Sequence, residues 1–272
     1  MEVELAVKML GLLLAIGAIA GILAGLLGVG GGVVLVAAFY YAFQTLGYDS
    51  LQLMQICLAT SLATIVVTSI RSVVGHHKRG VVDWHILRTW APGIGVGAVI
   101  GVYTASILTS ASLQLVFGCL ALAVGVYMAF GRPDWRLGTE MPKGIVRSLL
   151  SPSVGFLSVL MGIGGGSFGV PLMTLYGRRM HEAVATAAGL GVIISVPSVA
   201  GFLFMPIDPS SRPPYTIGAV NFAAFGVVII MTFVTTPLGV RLSHAIDPAP
   251  LRRIFAVFLI LVALNMIRKV LY

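Results

Sequence analysis

The chain has 272 residues, of which 58% are hydrophobic and 10% are charged. Soluble domains usually carry about a quarter charged residues, so this composition excludes the soluble classes and indicates an integral membrane protein that crosses the bilayer several times. The net charge of +8 does not support a nucleic-acid partner, since basic residues in membrane proteins mainly set orientation. The two cysteines, Cys57 and Cys119, lie inside apolar segments and indicate neither a disulfide framework nor a metal site.

Ten apolar segments follow one another along the chain, and each is predicted to form a helix. The longer segments have about 20 residues, which is enough for a helix to cross the hydrocarbon core. The first begins Met1-Glu2-Val3-Glu4 and lacks a basic flank, so it is expected to be retained and not to act as a signal peptide. In chain order the segments are 5–27, 31–46, 52–74, 86–108, 112–130, 145–161, 166–177, 182–205, 217–241 and 250–270.

A glycine-rich string occurs twice, first as Gly28-Val29-Gly30-Gly31-Gly32 and then, 134 positions later, as Gly162-Ile163-Gly164-Gly165-Gly166. Glycine runs are poor material for a lipid-facing helix, because they leave backbone N–H and C=O groups accessible. Such backbone normally lies against protein or a watery cavity. The two glycine motifs are therefore the leading candidates for a substrate site.

Weaker matches extend the duplication beyond the glycine motifs. Ala59-Thr60 corresponds to Ala185-Thr186 at a spacing of 126, and residues 80–127 correspond to residues 218–265 at a spacing of 138 without a gap. The changes in spacing fall in predicted connections, where insertions are tolerated. Five segments in each half make the halves antiparallel. The sequence therefore predicts two inverted-topology repeats, 1–137 and 138–272.

Basic residues are distributed unevenly between the two predicted faces of the membrane. With the N-terminus outside, twelve of them lie at or near one face and four at the other. By the positive-inside rule the richer face is cytoplasmic, which places both termini on the non-cytoplasmic side of the inner membrane. The twelve are Lys78, Arg79, Arg88, Arg132, Arg136, Lys143, Arg147, Arg178, Arg179, Arg241, Arg252 and Arg253; the four are Lys8, Arg212, Arg268 and Lys269.

The segments that follow the glycine motifs are short. Segment 166–177 has 12 residues and reaches about 18 Å as a helix, well under the thickness of the hydrocarbon core. Re-entrant or broken helices that enter from opposite faces and meet near the midplane are therefore predicted, as in secondary transporters with inverted repeats. Helices that begin near Gly31 and Gly165 would direct unpaired N–H groups and positive dipole ends toward one place, which favours an anion.

Polar residues near the glycine motifs complete the predicted substrate site. Four hydroxyl residues lie beside a motif or correspond between the repeats, although a membrane Ser or Thr commonly bonds to a carbonyl one turn earlier instead. One arginine lies well inside a predicted span, where it either binds the substrate or snorkels to the interface. The predicted substrate-binding residues are Thr60, Ser61, Ser167, Thr186, Arg71, Gly28, Gly30, Gly31, Gly32, Gly162, Gly164, Gly165 and Gly166.

Other patterns have structural explanations. The glycines in Gly21-x-x-x-Gly25, Gly93-x-x-x-Gly97 and Gly97-x-x-x-Gly101 are predicted to let helices pack closely. Histidine is a residue type that serves in proton relays, which makes His76 and His77 candidates for one, but adjacent histidines in a basic loop are usually solvated. The string from Gly165 to Gly169 fits the nucleophile pattern G-x-S-x-G without its strand–turn–helix context, so no enzyme activity is predicted.

These motifs as a set resemble the TauE/SafE family of membrane permeases, whose named members are linked to export of sulfite and organosulfonates. The resemblance covers nearly the whole chain and rests on residues 25–32, Ala59-Thr60-Ser61-Leu62, the loop from His76 to Asp83, and residues 162–166. It implies a small sulfur-containing anion as the substrate and export as the direction. Sulfite, sulfoacetate and thiosulfate are all substrates that the resemblance allows.

The predicted function is secondary transport of this anion by alternating access of two inverted halves in an all-α fold, with no metal or cofactor. Three alternatives stay open: an anion channel with the same site, an importer of a thiosulfate-type anion, and a structural membrane scaffold that binds no ligand. The sequence contains no ATP-binding motif, so energy is expected from a proton or sodium gradient or from a separate partner. The oligomeric state is left open.

Overall fold

The computed structural model describes residues 2–27, 32–48, 50–131, 135–209, 212–245 and 248–271. Within these ranges the chain forms ten helices and one short antiparallel hairpin, so the all-α fold class is confirmed. The helices are α1 (Glu2–Leu27), α2 (Gly32–Thr45), α3 (Leu53–Lys78), α4 (Trp84–Ile107), α5 (Ser110–Phe130), α6 (Gly144–Leu160), α7 (Gly166–Leu175), α8 (Met180–Leu203), α9 (Phe222–Ala245) and α10 (Pro248–Leu271), and the strands are β1 (Thr216–Ile217) and β2 (Val220–Asn221).

Five helices of the described chain are long and apolar enough to cross a bilayer, namely α3, α4, α5, α8 and α10. Large apolar side chains such as Val99 and Tyr103 on α4 and Leu261 on α10 are exposed on the outside of the bundle. A contiguous apolar exterior of this kind is favourable in contact with lipid and unfavourable in water. The protein is therefore a multi-pass membrane protein.

Helix α3 lies at the centre of the bundle. Every residue from Leu53 to Ile65 is buried, on all sides of the helix. A helix that is buried on all sides must be surrounded by other elements of the fold. Helices α2, α8 and α9 all pack against it.

The start of α9 differs from the predicted segment 217–241. The helix begins at Phe222, and the residues before it form the β1–β2 hairpin. Gly218 sits in the turn with φ of +54°, a conformation that glycine adopts without strain. The carboxamide oxygen of Asn221 then accepts from the N–H of Ala224 at 2.8 Å, which caps the first turn of the helix.

The helices pack in pairs that correspond between the two halves. Helix α1 packs against α9, α4 against α6, α3 against α8 and α5 against α10. When the first five helices are matched in order with the last five, the α1–α9 pair corresponds to the α4–α6 pair. The α3–α8 pair and the α5–α10 pair each correspond to themselves. Each of these four pairs joins one half of the chain to the other.

Two hydrogen bonds follow the same correspondence. The hydroxyl of Thr60 on α3 accepts from the N–H of Asn221 at 3.0 Å, and the hydroxyl of Thr186 on α8 accepts from the N–H of Asp83 at 3.0 Å. Asn221 and Asp83 each cap the helix that follows, since the Asp83 carboxylate accepts from the N–H of Ile86 at 3.0 Å. A long buried helix of each half is thereby joined to the beginning of a helix in the other half.

Glycines at the helix crossings allow close backbone contact, as predicted. A Cβ atom on Gly21 would lie 2.9 Å from the Cα of Thr232 on α9, and one on Gly97 would lie 2.7 Å from the Cα of Pro152 on α6. Real Cβ atoms do not approach backbone so closely, so a larger residue would force the helices apart. The packing role is confirmed for Gly21, Gly93, Gly97 and Gly101, while Gly25 lies outside the residues whose packing is described.

Candidate substrate-binding site

The second glycine motif forms a tight turn that leads into α7. Gly162 has φ of +61°, and a Cβ atom there would lie 3.0 Å from the Cα of Leu58 on α3. Both the conformation and the space therefore require glycine. The hydroxyl of Ser61 donates to the carbonyl of Gly162 at 2.7 Å and holds this turn against α3.

The first residue of α2 lies beside this turn. A Cβ atom on Gly32 would be 3.1 Å from the Cα of Ile163, and the carbonyl oxygen of Gly32 is 3.3 Å from the hydroxyl of Ser61. The end of the first glycine motif and the beginning of the second are thus in contact across α3. Gly28, Gly30 and Gly31, which belong to the predicted site, lie outside the described residues.

A cavity of about 150 Å³ adjoins the start of α7. Ile65, at its inner wall, is buried, whereas the lining residues of α3 from Thr68 to His76 are half-buried. The cavity therefore opens at the C-terminal end of α3. No Asp, Glu, Lys or Arg is among the described residues that line it. The lining residues are Ala20, Leu35, Thr64, Ile65, Thr68, Ser69, Ser72, His76, Gly164, Gly165, Gly166, Val184, Ala187, Ala188, Thr232 and Thr236.

The backbone at the start of α7 lines this cavity. Gly164, Gly165 and Gly166, which belong to the predicted site, all contribute to its wall, and no side chain caps the helix. The first N–H groups of a helix have no carbonyl partner within it and carry the positive end of its dipole. An anion in the cavity would satisfy them.

Hydroxyl groups in the cavity wall fall into two classes. Thr64, Thr68 and Thr232 donate to carbonyls of their own helices at 3.0, 3.1 and 2.9 Å. For Ser69, Ser72 and Thr236, by contrast, the described part of the chain offers no hydrogen-bond partner. These three hydroxyls are therefore free to donate to a ligand.

The sequence prediction missed these three residues, although α3 carries a signal for two of them, Ser69 and Ser72. Ile65, Ser69, Ser72 and His76 recur at spacings of three or four residues, which is the period of one helix face. A polar stripe on an otherwise buried helix indicates a face directed toward a cavity. Helical phase is therefore a better guide here than distance from a glycine motif.

None of the four predicted hydroxyl residues lines the cavity. Thr60, Ser61 and Thr186 are fully buried and make the backbone contacts described above, and Thr60 also donates to the carbonyl of Ile56 at 2.7 Å. Ser167 is buried within α7. The three residues with described bonds position the helices around the cavity.

Arg71 also lies outside the cavity. Its side chain is exposed, and its guanidinium carbon is 4.4 Å from the centre of the Phe233 ring on α9, a cation–π contact. His76 lies in the cavity wall at the open end, whereas the Nδ1 atom of His77 accepts from the indole N–H of Trp84 at 3.1 Å. Of the charged and titratable groups predicted near the site, the structure brings only His76 into the described cavity wall.

Comparison with known proteins agrees with this architecture. Residues 13–266 match the family described as sulfite exporter TauE/SafE. A probable membrane transporter protein of Haemophilus influenzae is 31% identical over 95% of this chain and 98% of its own length. Similar proteins from Methanocaldococcus jannaschii and Bacillus subtilis, also described as probable membrane transporter proteins, are 27% and 26% identical over 90% and 94% of this chain, and over 90% and 96% of their own lengths.

No solved structure shows a significant match to the chain. The family match nevertheless spans almost all of the described helices, and the relatives are matched over nearly their whole length. These findings identify a membrane transporter. The chain belongs to the TauE/SafE sulfite exporter family.

Proposed function

We propose that this protein is a secondary transporter of a small sulfur-containing anion, such as sulfite or an organosulfonate, and that it exports this anion. The observation that carries the proposal is the uncapped start of α7 at a cavity with three free hydroxyls. Sulfur oxyanions present several acceptor oxygens and no donor when ionised. A wall made of N–H and O–H donors, with no carboxylate to repel the charge, complements them.

The size of the cavity supports a small substrate. Its volume is about 150 Å³. Pockets for larger metabolites generally measure about 300–1,000 Å³. A compact oxyanion with a short organic group fits this space, whereas a nucleotide or a lipid headgroup does not.

Alternating access of two inverted repeats, 1–137 and 138–272, is the mechanism that we propose. It is supported by the corresponding helix pairs and by the equivalent bonds from Asn221 to Thr60 and from Asp83 to Thr186. Helix α7 has 10 residues and extends about 15 Å, so a re-entrant path for it is part of the proposal. In the proposed orientation the cavity opens to the cytoplasm, and a proton or sodium gradient supplies the energy.

Flux into proteoliposomes tests the function directly. Sulfite, sulfoacetate and thiosulfate are offered with and without pH and sodium gradients, and we expect saturable flux that exchanges with a counter-substrate. Flux that rises linearly with concentration and shows no exchange would indicate a channel instead. Absence of flux for every anion in the panel would contradict the proposal.

A serine variant connects this flux to the cavity. Ser69→Ala removes one free donor, so the half-saturating concentration is expected to rise about twofold to tenfold, the range that one neutral hydrogen bond supplies. Ser153→Ala is the matched control, because the Ser153 hydroxyl is exposed and donates to the carbonyl of Leu149 at 2.9 Å. Unchanged kinetics in Ser69→Ala would remove this cavity from the substrate path.

Cysteine labelling tests the proposed orientation. Leu51, between α2 and α3, is 90% exposed, and Glu140, between α5 and α6, is also exposed. In a background without Cys57 and Cys119, Leu51→Cys is expected to react with an impermeant thiol reagent added to intact cells, and Glu140→Cys only after lysis. The reverse pattern would invert the proposed orientation, and labelling of both sites in intact cells would indicate mixed insertion.

A further inference from the structure

Ser195 on α8 is a buried hydroxyl without a partner. Its side chain is completely buried, and no hydrogen bond to its Oγ atom is present among the described residues. Ser198, one turn later, shows the usual alternative, since it donates to the carbonyl of Ile194 at 2.6 Å. A buried hydroxyl without a hydrogen bond destabilises the conformation that contains it, so its presence at this position needs a reason.

The counterpart of Ser195 in the other half is a residue of the cavity. The spacing of 126 that matches Ala59-Thr60 with Ala185-Thr186 also matches Ser69 with Ser195. This spacing holds within α3 and α8 without a gap, because Leu53 and Lys78 map to within one residue of the ends of α8. The equivalent bonds of Thr60 and Thr186 support the same register.

Ser69 occupies a defined place between α8 and the second glycine motif. Its Oγ atom lies directly against Gly191 on α8 and would be 3.8 Å from a Cβ atom on Gly164. It has no hydrogen-bond partner within the described chain and lines the open cavity. In this conformation one member of the serine pair is accessible to a ligand and the other is buried.

We infer that Ser195 is the substrate-contacting hydroxyl of the opposite-facing conformation. The inference rests on the proposed function, because alternating access in inverted repeats exchanges the arrangements of the two halves around one site. When the cavity closes at the C-terminal end of α3 and opens at the C-terminal end of α8, Ser195 takes the place that Ser69 holds now. Its hydroxyl then donates to the anion, or to water when no anion is bound.

The unsatisfied hydroxyl also affects the balance between the two conformations. It raises the free energy of the present conformation, in which it is buried, and not that of the other, in which it is solvated. Ser195→Ala removes this cost. The variant is therefore expected to fold at least as stably as the wild type while favouring the conformation in which the cavity opens beside His76.

Sulfite flux in right-side-out and inverted membrane vesicles tests the inference. We expect Ser195→Ala to raise the half-saturating concentration about twofold to tenfold from the face at which α8 ends, and Ser69→Ala to do so from the face at which α3 ends. Ser158→Ala is the matched control. Ser158 is equally buried and unpartnered, but its counterpart at the spacing of 134 is Ala24, so its loss is expected to leave both faces unchanged.

Thermal unfolding of the same variants separates substrate binding from a structural role. The unfolding temperature of Ser195→Ala should equal or exceed that of the wild type. Lost transport with a lower unfolding temperature would assign Ser195 a structural role and overturn the inference. If Ser195→Ala has the same kinetics as the unmodified protein from both faces, the inference is wrong and the proposed function still stands. If the unmodified protein shows no saturable flux of a sulfur-containing anion, the proposed function and this inference are both wrong.

Discussion

Gly164→Ala is expected to lower anion transport at least tenfold while the protein still folds and inserts. A Cβ atom at this position would lie 3.8 Å from the Oγ atom of Ser69 and 3.0 Å from the Cγ2 atom of Ile65. Both neighbours line the cavity, so the added methyl group is expected to take space from the proposed anion site beside the start of α7. A tenfold loss corresponds to about 1.4 kcal/mol, which is modest for a group placed inside a cavity of about 150 Å³.

Gly164 is a sharper test than its neighbour Gly165. A Cβ atom on Gly165 would lie 2.7 Å from the carbonyl oxygen of Ala187, so even alanine there forces α7 away from α8. At Gly164→Ala, by contrast, the Cγ2 atom of Ile65 has to move by only a few tenths of an ångström, and the nearest backbone atom, the Cα of Gly191, lies 3.5 Å away. The control is Gly95→Ala, because no atom lies within 4 Å of a Cβ atom at that position on α4.

Ligand-induced thermal stabilisation measures the effect of Gly164→Ala apart from transport. A ligand that binds the folded state raises its apparent stability by mass action. Sulfite or an organosulfonate is expected to raise the unfolding temperature of the wild type and of Gly95→Ala, but much less that of Gly164→Ala. Equal stabilisation of all three proteins would show that the anion does not bind beside the second glycine motif.

The positions of the helices could be predicted because hydropathy is strong along this chain. All ten predicted segments contain a helix, and α1 and α7 begin within three residues of their predicted starts. The error at α9 arose because hydropathy does not detect backbone conformation. Residues 217–220 are largely apolar, and the turn at Gly218 and the cap at Asn221 decide where the helix begins.

The site could be predicted only in part, for a similar reason. The glycines of the second motif, which line the cavity, could be found from the sequence. A tight turn followed by an uncapped helix start requires a run of glycines, and such a run is easily recognised. Thr60 and Thr186 are predicted because they correspond between the proposed repeats. Correspondence of this kind identifies positions with the same role in both halves, whatever that role is. Both residues accept a backbone bond from the residue that caps a helix, which shows that correspondence selects structural contacts as readily as it would select binding contacts. Residues that line the cavity are distinguished from residues that hold the helices together only by whether their helix face is directed toward the cavity or toward another helix.

Thr60→Val and Thr186→Val are each expected to destabilise the folded protein, and Thr60→Val more strongly. Valine keeps the shape of threonine but cannot accept a hydrogen bond, so the N–H of Asn221 or of Asp83 loses its partner. An orphaned buried donor costs about 1–3 kcal/mol. Asn221 is completely buried, whereas the bond to Asp83 is partly accessible to solvent, where water can replace the lost hydroxyl.

Serine at the same two positions separates the hydrogen bond from side-chain packing. Thr60→Ser and Thr186→Ser keep the acceptor and lose one methyl group, so they should recover most of the unfolding temperature that the valine variants lose in detergent. Thr104→Val is the control, because Thr104 is half-buried and its hydroxyl makes a solvent-exposed bond only to the carbonyl of Ile100 on its own helix, at 2.9 Å. If serine and valine destabilise the protein equally, the contribution of these threonines lies in packing, and the two bonds do not hold the halves together.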